Sequence, residues 1–176
     1  MRRISNPFFA VFAGACVIYV LAVSPFRPWS QIVSTTPDDA AYYFKIGLNY
    51  ADGLGWTFDG RNPTNGFQPL WQALIAGMQQ ILPFQQQPEQ FVRAVLVFQG
   101  LLLTAALVVF DRTLRLLDNS LLRRLGTVLF LAIVFLMIRN GMESALLVLL
   151  AAMAVNLHAR GEDLEGCVGS GRKVSR

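Results

Sequence analysis

Two adjacent carboxylates, Asp38 and Asp39, carry the strongest chemical signal in the sequence. A carboxylate that meets a substrate hydroxyl can accept its proton and so activate the oxygen as a nucleophile. The pair also suits a structural role, because Thr36 is a favourable helix N-cap, Pro37 fits the first helical position, and acids stabilise the first turn. The local sequence favours this capping role. The two roles are compatible, since a helix N-terminus would hold a catalytic side chain in place.

Charged residues elsewhere supply a second acid and several cations. Glu143 stands at the start of an apolar segment, where an acid is either functional or a helix cap. Arg139 precedes it on the same predicted turn, and Lys45 and Arg61 follow the acid pair. Each cation could hold a phosphate, although anchoring at a membrane interface is the more common role. Five aromatic side chains could stack on a sugar or cover a lipid chain, with interface packing the commoner role: Tyr42, Tyr43, Phe44, Phe67 and Trp71.

The sequence has few residues that could form a histidine-based metal site, a Ser-His-Asp triad or a cysteine pair. His158 is the only histidine, so neither a histidine-based metal site nor a Ser-His-Asp triad is indicated. Cys16 lies in an apolar run and Cys167 in a polar one, which predicts two free thiols rather than a disulfide or a metal pair.

The composition is typical of a membrane protein. Of the 176 residues, 54% are hydrophobic and 15% are charged, whereas soluble domains carry about a quarter charged residues. The net charge of +4 comes from basic residues clustered between apolar runs. This pattern sets membrane topology and differs from a nucleic-acid-binding surface. No nucleic-acid partner is therefore expected.

Four apolar segments predict membrane helices over about residues 8–24, 93–111, 125–138 and 144–158. The first is longer than a signal-peptide core and lacks a small-x-small cleavage site, so we expect an uncleaved helix. The last two are short for independent spans, which leaves a sheltered helical hairpin or a re-entrant pair as alternatives. Together the segments predict an all-α, multi-pass membrane bundle.

Basic residues indicate which ends of these helices share a side of the membrane. Clusters of them precede the first segment, separate the second from the third, and follow the fourth. The positive-inside rule assigns all three clusters, and with them both termini, to the cytoplasm. The loop over 25–92 and the turn at 139–144 then share the outer side. This topology brings Glu143 to the same side as the acid pair.

The outer loop is predicted to be ordered. Apolar spacing predicts helices over 39–51 and 68–82, with a turn at 52–55 and a short extended piece at 56–60. Trp29, Trp56 and Trp71 all fall in this loop, and amphipathic indole rings favour a membrane interface. We therefore expect helices that lie along the outer surface of the bilayer. Residues 161–176 lack apolar periodicity and predict a disordered cytoplasmic tail.

Four stretches together resemble the bacterial GT-C superfamily of integral-membrane glycosyltransferases. Three of them, DDAAYYFKIG at 38–47, GLGWTFDG at 53–60 and PTNGFQPLW at 63–71, are similar to the first outer loop of these enzymes. The fourth, NGMESAL at 140–146, resembles a glycine-methionine-glutamate turn that opens a later helix in the family. The resemblance covers roughly residues 4–157.

The resemblance implies an enzyme of the bacterial inner membrane that moves a sugar from a polyprenyl-phosphate carrier to a hydroxyl of a glycan, lipid or protein outside the cytoplasm. It assigns the catalytic acid to Asp39 or Asp38, with Asp39 favoured. We expect substrate binding by Glu143, Arg139, Lys45, Tyr43 and Asn65. The carrier phosphate is already a leaving group, so the protein would mainly supply a base, positioning and charge compensation.

Some relatives in this superfamily bind a divalent cation through a spaced pair of acids. The acids are adjacent here, so a cation is left open without being indicated, and no cofactor is required. Full-length members have many more membrane helices. We therefore expect this chain to be an N-terminal portion that lacks part of the carrier groove and acceptor site.

Two rival hypotheses remain. One is a non-catalytic small membrane protein, or a degenerate fragment, that packs with other membrane helices. The other is part of a transporter, which the near absence of ionisable residues within the apolar segments disfavours.

Overall fold

The computed structural model describes residues 26–82, 87–116, 119–137 and 142–171, together with Gly14, Val17 and Ile18. Within these residues the chain forms six helices and no strand: α1 (Trp29–Thr35), α2 (Asp38–Ala51), α3 (Pro69–Ile81), α4 (Pro88–Leu114), α5 (Ser120–Met137) and α6 (Ser144–Gly171). The all-α prediction is thus confirmed for the described part of the chain. The helix predicted at 8–24 falls outside that part, apart from the three residues named, and so does Arg139.

The two helices predicted within residues 25–92 are confirmed as α2 and α3, and they pack closely at a glycine. Gly47 is buried in α2, and a Cβ atom at this position would lie 2.8 Å from Cγ2 of Ile75 on α3. The absence of a side chain lets the two backbones approach here. Across the same interface, Gln72 Nε2 donates a 3.1 Å hydrogen bond to the carbonyl oxygen of Tyr43. This bond satisfies an amide nitrogen that is costly to bury without a partner.

The α2–α3 pair covers the first half of α4, and these helices share one apolar core with α1. Its buried members are Ile32, Ala40, Tyr43, Phe44, Trp71, Ile75, Phe91, Val92, Val95 and Leu96. Phe44 meets Phe91 edge to face with ring centroids 6.0 Å apart, and Trp71 stacks on Phe98 at 6.1 Å. Trp71 is 0% exposed. The prediction that it lies at a membrane interface is therefore wrong, because its indole fills the core between α3 and α4.

Helices α4 and α6 run parallel, and two hydrogen bonds fix their register. Gln99 Nε2 of α4 donates to the carbonyl oxygen of Met142, just before α6, at 3.4 Å. Asn156 Nδ2 of α6 donates to Oγ1 of Thr113 on α4 at 2.9 Å. Both bonds join residues 43 positions apart, so the two helices advance together in one direction. The start of α6 therefore lies at the same end of the molecule as the first half of α4 and the α2–α3 pair.

Two helices are long and apolar enough to cross a membrane, by length and composition: Pro88–Leu114 and the Ser144–Gly161 part of α6. The predicted set of four membrane helices is not confirmed. The helix that contains the second predicted segment begins at Pro88, five residues earlier than expected. Proline is well suited to a first helical position. Large apolar side chains remain exposed on α5 and α6, among them Leu121, Leu125, Leu129, Leu147 and Leu157.

The last helix extends further than the sequence predicted. α6 continues to Gly171, so residues 161–171 are helical where a disordered tail was expected. Glu162, Leu164 and Glu165 are good helix formers, and they extend a helix that is already nucleated upstream. Residues 172–176 lie outside the described part of the chain.

Candidate functional site

Asp38 and Asp39 occupy the first turn of α2, as the sequence predicted, but the cap differs. Pro37 holds the N-cap position and makes no side-chain cap. Thr36 instead ends α1, and its hydroxyl donates to the carbonyl oxygen of Ile32 at 2.8 Å. The predicted Thr36 cap is wrong because α1 runs almost to the start of α2 and uses the threonine in its own last turn. Both carboxylates still lie at the positive end of the α2 dipole.

A cleft of about 450 Å³ joins three segments that are distant in the sequence. Its lining residues come from the first turns of α2, from the loop before α3, and from the turn before α6: Asp39, Tyr42, Tyr43, Gly66, Phe67, Met142 and Glu143. The cleft therefore brings Asp39 and Glu143 together.

Tyr43 is the buried hydroxyl of this cleft. Its side chain is 7% exposed, and its oxygen accepts a 3.2 Å hydrogen bond from the backbone N–H of Gln68. Burial raises the pKa of Tyr43 above its usual value of 10, the Gln68 bond opposes this rise, and the carboxylates of Glu143 and Asp39 add to it. The phenol therefore keeps its proton at neutral pH and remains a hydrogen-bond donor.

Glu143 stands in the turn directly before α6. Its carbonyl oxygen accepts the N–H of Leu147 at 3.0 Å, which begins the helical hydrogen-bond pattern. Oε2 of its side chain is buried and has no hydrogen-bond partner among the residues that the structure describes. The hydrogen bond from Gln99 to Met142 holds the backbone of this turn against α4. The turn before α6 thus carries a buried carboxylate oxygen that no described residue satisfies.

The charged groups that line the cleft are both acidic. Asp39 and Glu143 can accept protons or hydrogen bonds from hydroxyls, and no Lys or Arg belongs to the described lining. Within the described ranges there is also no group of three or more His, Cys, Asp or Glu side chains that could hold a metal ion. Two carboxylates alone supply fewer oxygen ligands than Mg²⁺ or Ca²⁺ usually takes, so a cation bound here would need water or substrate oxygens as well.

Aromatic contacts join the loop between α2 and α3 to α2 beside the cleft. Tyr42 stacks on Phe58 with ring centroids 4.2 Å apart, and Trp56 stacks on Tyr50 at 4.0 Å. Phe67, which lines the cleft, meets Trp56 in a tilted contact with ring centroids 5.6 Å apart. These contacts pin the α2–α3 loop to α2, and they leave Tyr42 about half exposed beside the cleft.

The structure separates the predicted site residues into two groups. Asp39, Tyr43 and Glu143 line the cleft together. Asp38, Lys45 and Asn65 are exposed and do not belong to its lining.

Two cleft residues, Gly66 and Met142, were not singled out from the sequence as functional. A signal for this part of the fold was present in Gln99 and Gln72. Each is a buried amide on a largely apolar helix, and each donates to a backbone carbonyl of a cleft segment, Met142 and Tyr43 respectively. Buried amides of this kind indicate which backbone a helix must meet.

Comparisons with known proteins do not assign the chain to a family. No protein-family model matches the chain, and neither a curated protein sequence nor a solved structure matches it.

Proposed function

We propose that the chain is a membrane glycosyltransferase, or a fragment of one, that moves a sugar from a polyprenyl-phosphate carrier to an acceptor hydroxyl. The main support for this proposal is the composition of the cleft. Three of the four stretches that resemble GT-C enzymes, at 38–47, 63–71 and 140–146, contribute side chains to it. A common functional site gives a physical reason for acids and aromatic rings from separate elements to converge on one concave surface.

Asp39 is the general base in this proposal. The acceptor oxygen forms a bond to the anomeric carbon of the sugar while Asp39 takes the hydroxyl proton. The bond between that carbon and the carrier oxygen breaks, and its electron pair leaves with polyprenyl phosphate. Asp39 fits this role better than Asp38, because Asp39 lines the cleft and Asp38 does not.

The charge of the cleft favours the acceptor hydroxyl over the carrier phosphate as its occupant. A phosphate placed against Asp39 and Glu143 would meet like charges, and such contacts cost several kcal/mol. The phosphate is therefore expected next to cations at the edge of the site. Arg139 and Lys45 stay the predicted phosphate ligands: Lys45 is exposed on α2, and Arg139 lies outside the described residues.

The proposed location is a bacterial inner membrane, with both termini in the cytoplasm and the cleft outside. Support comes from the length and apolar character of α4 and of the first part of α6. Their parallel direction also places the cleft at one end of α4, whereas Arg112 and Arg115 lie at the other end. Positive charge at the end away from the cleft is the arrangement expected of a cytoplasmic face.

Asp39→Asn tests the proposal, with Asp38→Asn as its matched control one residue away in the same helical turn. Transfer of labelled sugar from a polyprenyl-phosphate-linked hexose would be measured in membranes that contain the chain. We expect Asp39→Asn to lose about 100-fold or more of the transfer rate, because that is the scale of a lost general base, and Asp38→Asn to keep most of it. Full transfer in Asp39→Asn would refute the base assignment.

A second candidate function is a non-catalytic membrane protein that packs with other helices. The exposed apolar faces of α5 and α6 favour it, because such surfaces require lipid or another helix to cover them. Absence of transfer by the unaltered, folded chain would favour this candidate over the enzyme.

A further inference from the structure

We infer that a groove along the last part of α4 binds an anionic phospholipid, at the end of the molecule away from the cleft. The inference rests on the membrane location proposed above and goes beyond sugar transfer, because the proposed reaction does not use this groove. Its occupant is a lipid of the bilayer, rather than another helix or a soluble anion.

The groove has a volume of about 370 Å³ and follows the axis of α4. Gly14 and Val17 line it together with residues of α4 between Thr104 and Arg115. The lining residues of α4 recur three or four positions apart, so they form one stripe on the helix surface. At 1.5 Å per residue this stripe is roughly 16 Å long. An acyl chain in a bilayer runs in the same general direction as a membrane helix, so the groove is oriented to receive one.

The first part of the stripe is apolar. Leu107 is buried, and Val108 is 47% exposed. Gly14 leaves room beside them, because a Cβ atom at this position would meet nothing within 4 Å. The Thr104 hydroxyl donates to the carbonyl oxygen of Gly100 at 2.8 Å, so it needs no polar group from a ligand. This part of the groove therefore suits hydrocarbon.

The other part of the stripe, at the end of α4, is positively charged. Asp111 and Arg115 form an ion pair, in which Nε of Arg115 donates to Oδ2 of Asp111 at 2.7 Å. Arg112 is exposed and has no hydrogen bond or ion pair among the residues that the structure describes. Its guanidinium can therefore bind two oxygens of one phosphate.

The two parts of the groove together indicate a phospholipid. A second helix would cover the apolar part without supplying a counter-charge to Arg112, and a soluble anion would leave the apolar part uncovered. An anionic phospholipid does both with one molecule. Basic pockets beside membrane helices on the cytoplasmic side bind such headgroups. The end of α4 that carries Arg112 is also the end that the basic clusters assign to the cytoplasm.

The test is native mass spectrometry of the full chain in detergent, titrated with dioleoyl phosphatidylglycerol or dioleoyl phosphatidylcholine. The two lipids share their acyl chains and differ in headgroup charge. We expect tighter binding of phosphatidylglycerol, and Arg112→Gln should weaken that binding about fivefold. Arg124→Gln is the matched control, because Arg124 is exposed near the start of α5 and does not line the groove. Equal losses in the two variants, or equal binding of the two lipids, would overturn the inference.

A second variant tests the apolar part of the groove. Gly14→Leu places a side chain in the open space and retains Arg112, and leucine is a better helix former than glycine. It should weaken the binding of phosphatidylglycerol, and undiminished binding would contradict the assignment of an acyl chain to this space.

Glycerol 3-phosphate, which has a phosphate but no acyl chain, distinguishes a lipid from a soluble anion. An excess of it should not displace phosphatidylglycerol, and full displacement would show a phosphate site instead of a lipid groove. None of these measurements uses a sugar donor, so failure of the lipid site and failure of the proposed transfer are separately observable.

Discussion

One step of helical rotation decides which carboxylate faces the cleft. Neighbouring residues of a helix point about 100° apart, so Asp38 and Asp39 cannot share one direction. Asp39 stands one turn before Tyr43 and lines the cleft with it, while Asp38 is exposed elsewhere on the first turn. The buried face of α2, which includes Phe44 and Gly47, sets this rotation because it must pack on α3 and α4.

Asp59 gives a residue-scale prediction about pH. Its carboxylate accepts hydrogen bonds from the backbone N–H groups of Asn62 and Arg61 at 2.7 and 2.9 Å, and from Asn62 Nδ2 at 2.7 Å. These bonds favour the ionised form and lower the pKa of Asp59 from 3.8 to about 2. Because the folded-state pKa is the lower one, the stabilisation is complete above pH 3.8 and is lost as the pH falls through about 2.

A carbon-13 NMR titration of the aspartate carboxyl groups would check this prediction, with Asp59→Ala to assign the signal. We also expect amide hydrogens of Arg61 and Asn62 to exchange faster in Asp59→Ala, since both lose their acceptor. Titration of Asp59 near 3.8 would contradict the hydrogen-bond account.

At the scale of elements, the close contact between α2 and α3 is the feature most sensitive to a small change. Gly47 faces Ile75, whose side chain is fully buried and has little room to move. Gly77 on α3 is the natural comparison, because a Cβ atom there would meet nothing within 4 Å. The two glycines are both within helices, so they differ mainly in their surroundings.

Gly47→Ala should therefore destabilise the protein, and Gly77→Ala should not. Overpacking costs about 1–3 kcal/mol, which exceeds the gain of about 1 kcal/mol or less expected from replacing a helical glycine by alanine. Thermal unfolding in detergent, followed by circular dichroism, would compare the two variants. A Gly47→Ala variant as stable as Gly77→Ala would show that Ile75 moves aside without cost.

At the scale of the whole molecule, the pairing of Asp39 with Glu143 could be predicted from the sequence. The alternation of basic clusters and apolar runs assigned both acids to one end of the bundle, and the cleft contains both. The surroundings of Trp71 and Thr36, in contrast, were determined by contacts that the sequence pattern did not predict. Indole chemistry predicted an interface for Trp71, but the contact with Phe98 buries it. Thr36 had the right residue type for a cap, but its hydroxyl bonds within α1.

The two polar contacts between α4 and α6 should have different effects on the site. Gln99→Leu removes the donor to Met142, at the cleft, whereas Asn156→Leu removes the donor to Thr113, at the far end. Each loss should cost roughly 0.5–1.5 kcal/mol of stability. In chains labelled with ¹³C at the tyrosine ζ carbon, we expect the chemical shift of Tyr43 to change in Gln99→Leu and to be unchanged in Asn156→Leu. Equal shifts in both would mean that the turn before α6 does not depend on Gln99.

The two hydrogen bonds between α4 and α6 each join residues 43 positions apart. This equal spacing limits where residues can be inserted into or deleted from the chain. One residue inserted in α4 between Gln99 and Thr113 would rotate these two side chains by about 100° relative to each other, so at most one of the two bonds to α6 could form. An insertion between α4 and α5 would leave both bonds aligned. Related sequences should therefore gain and lose residues between the helices and keep the interval from Gln99 to Thr113 constant.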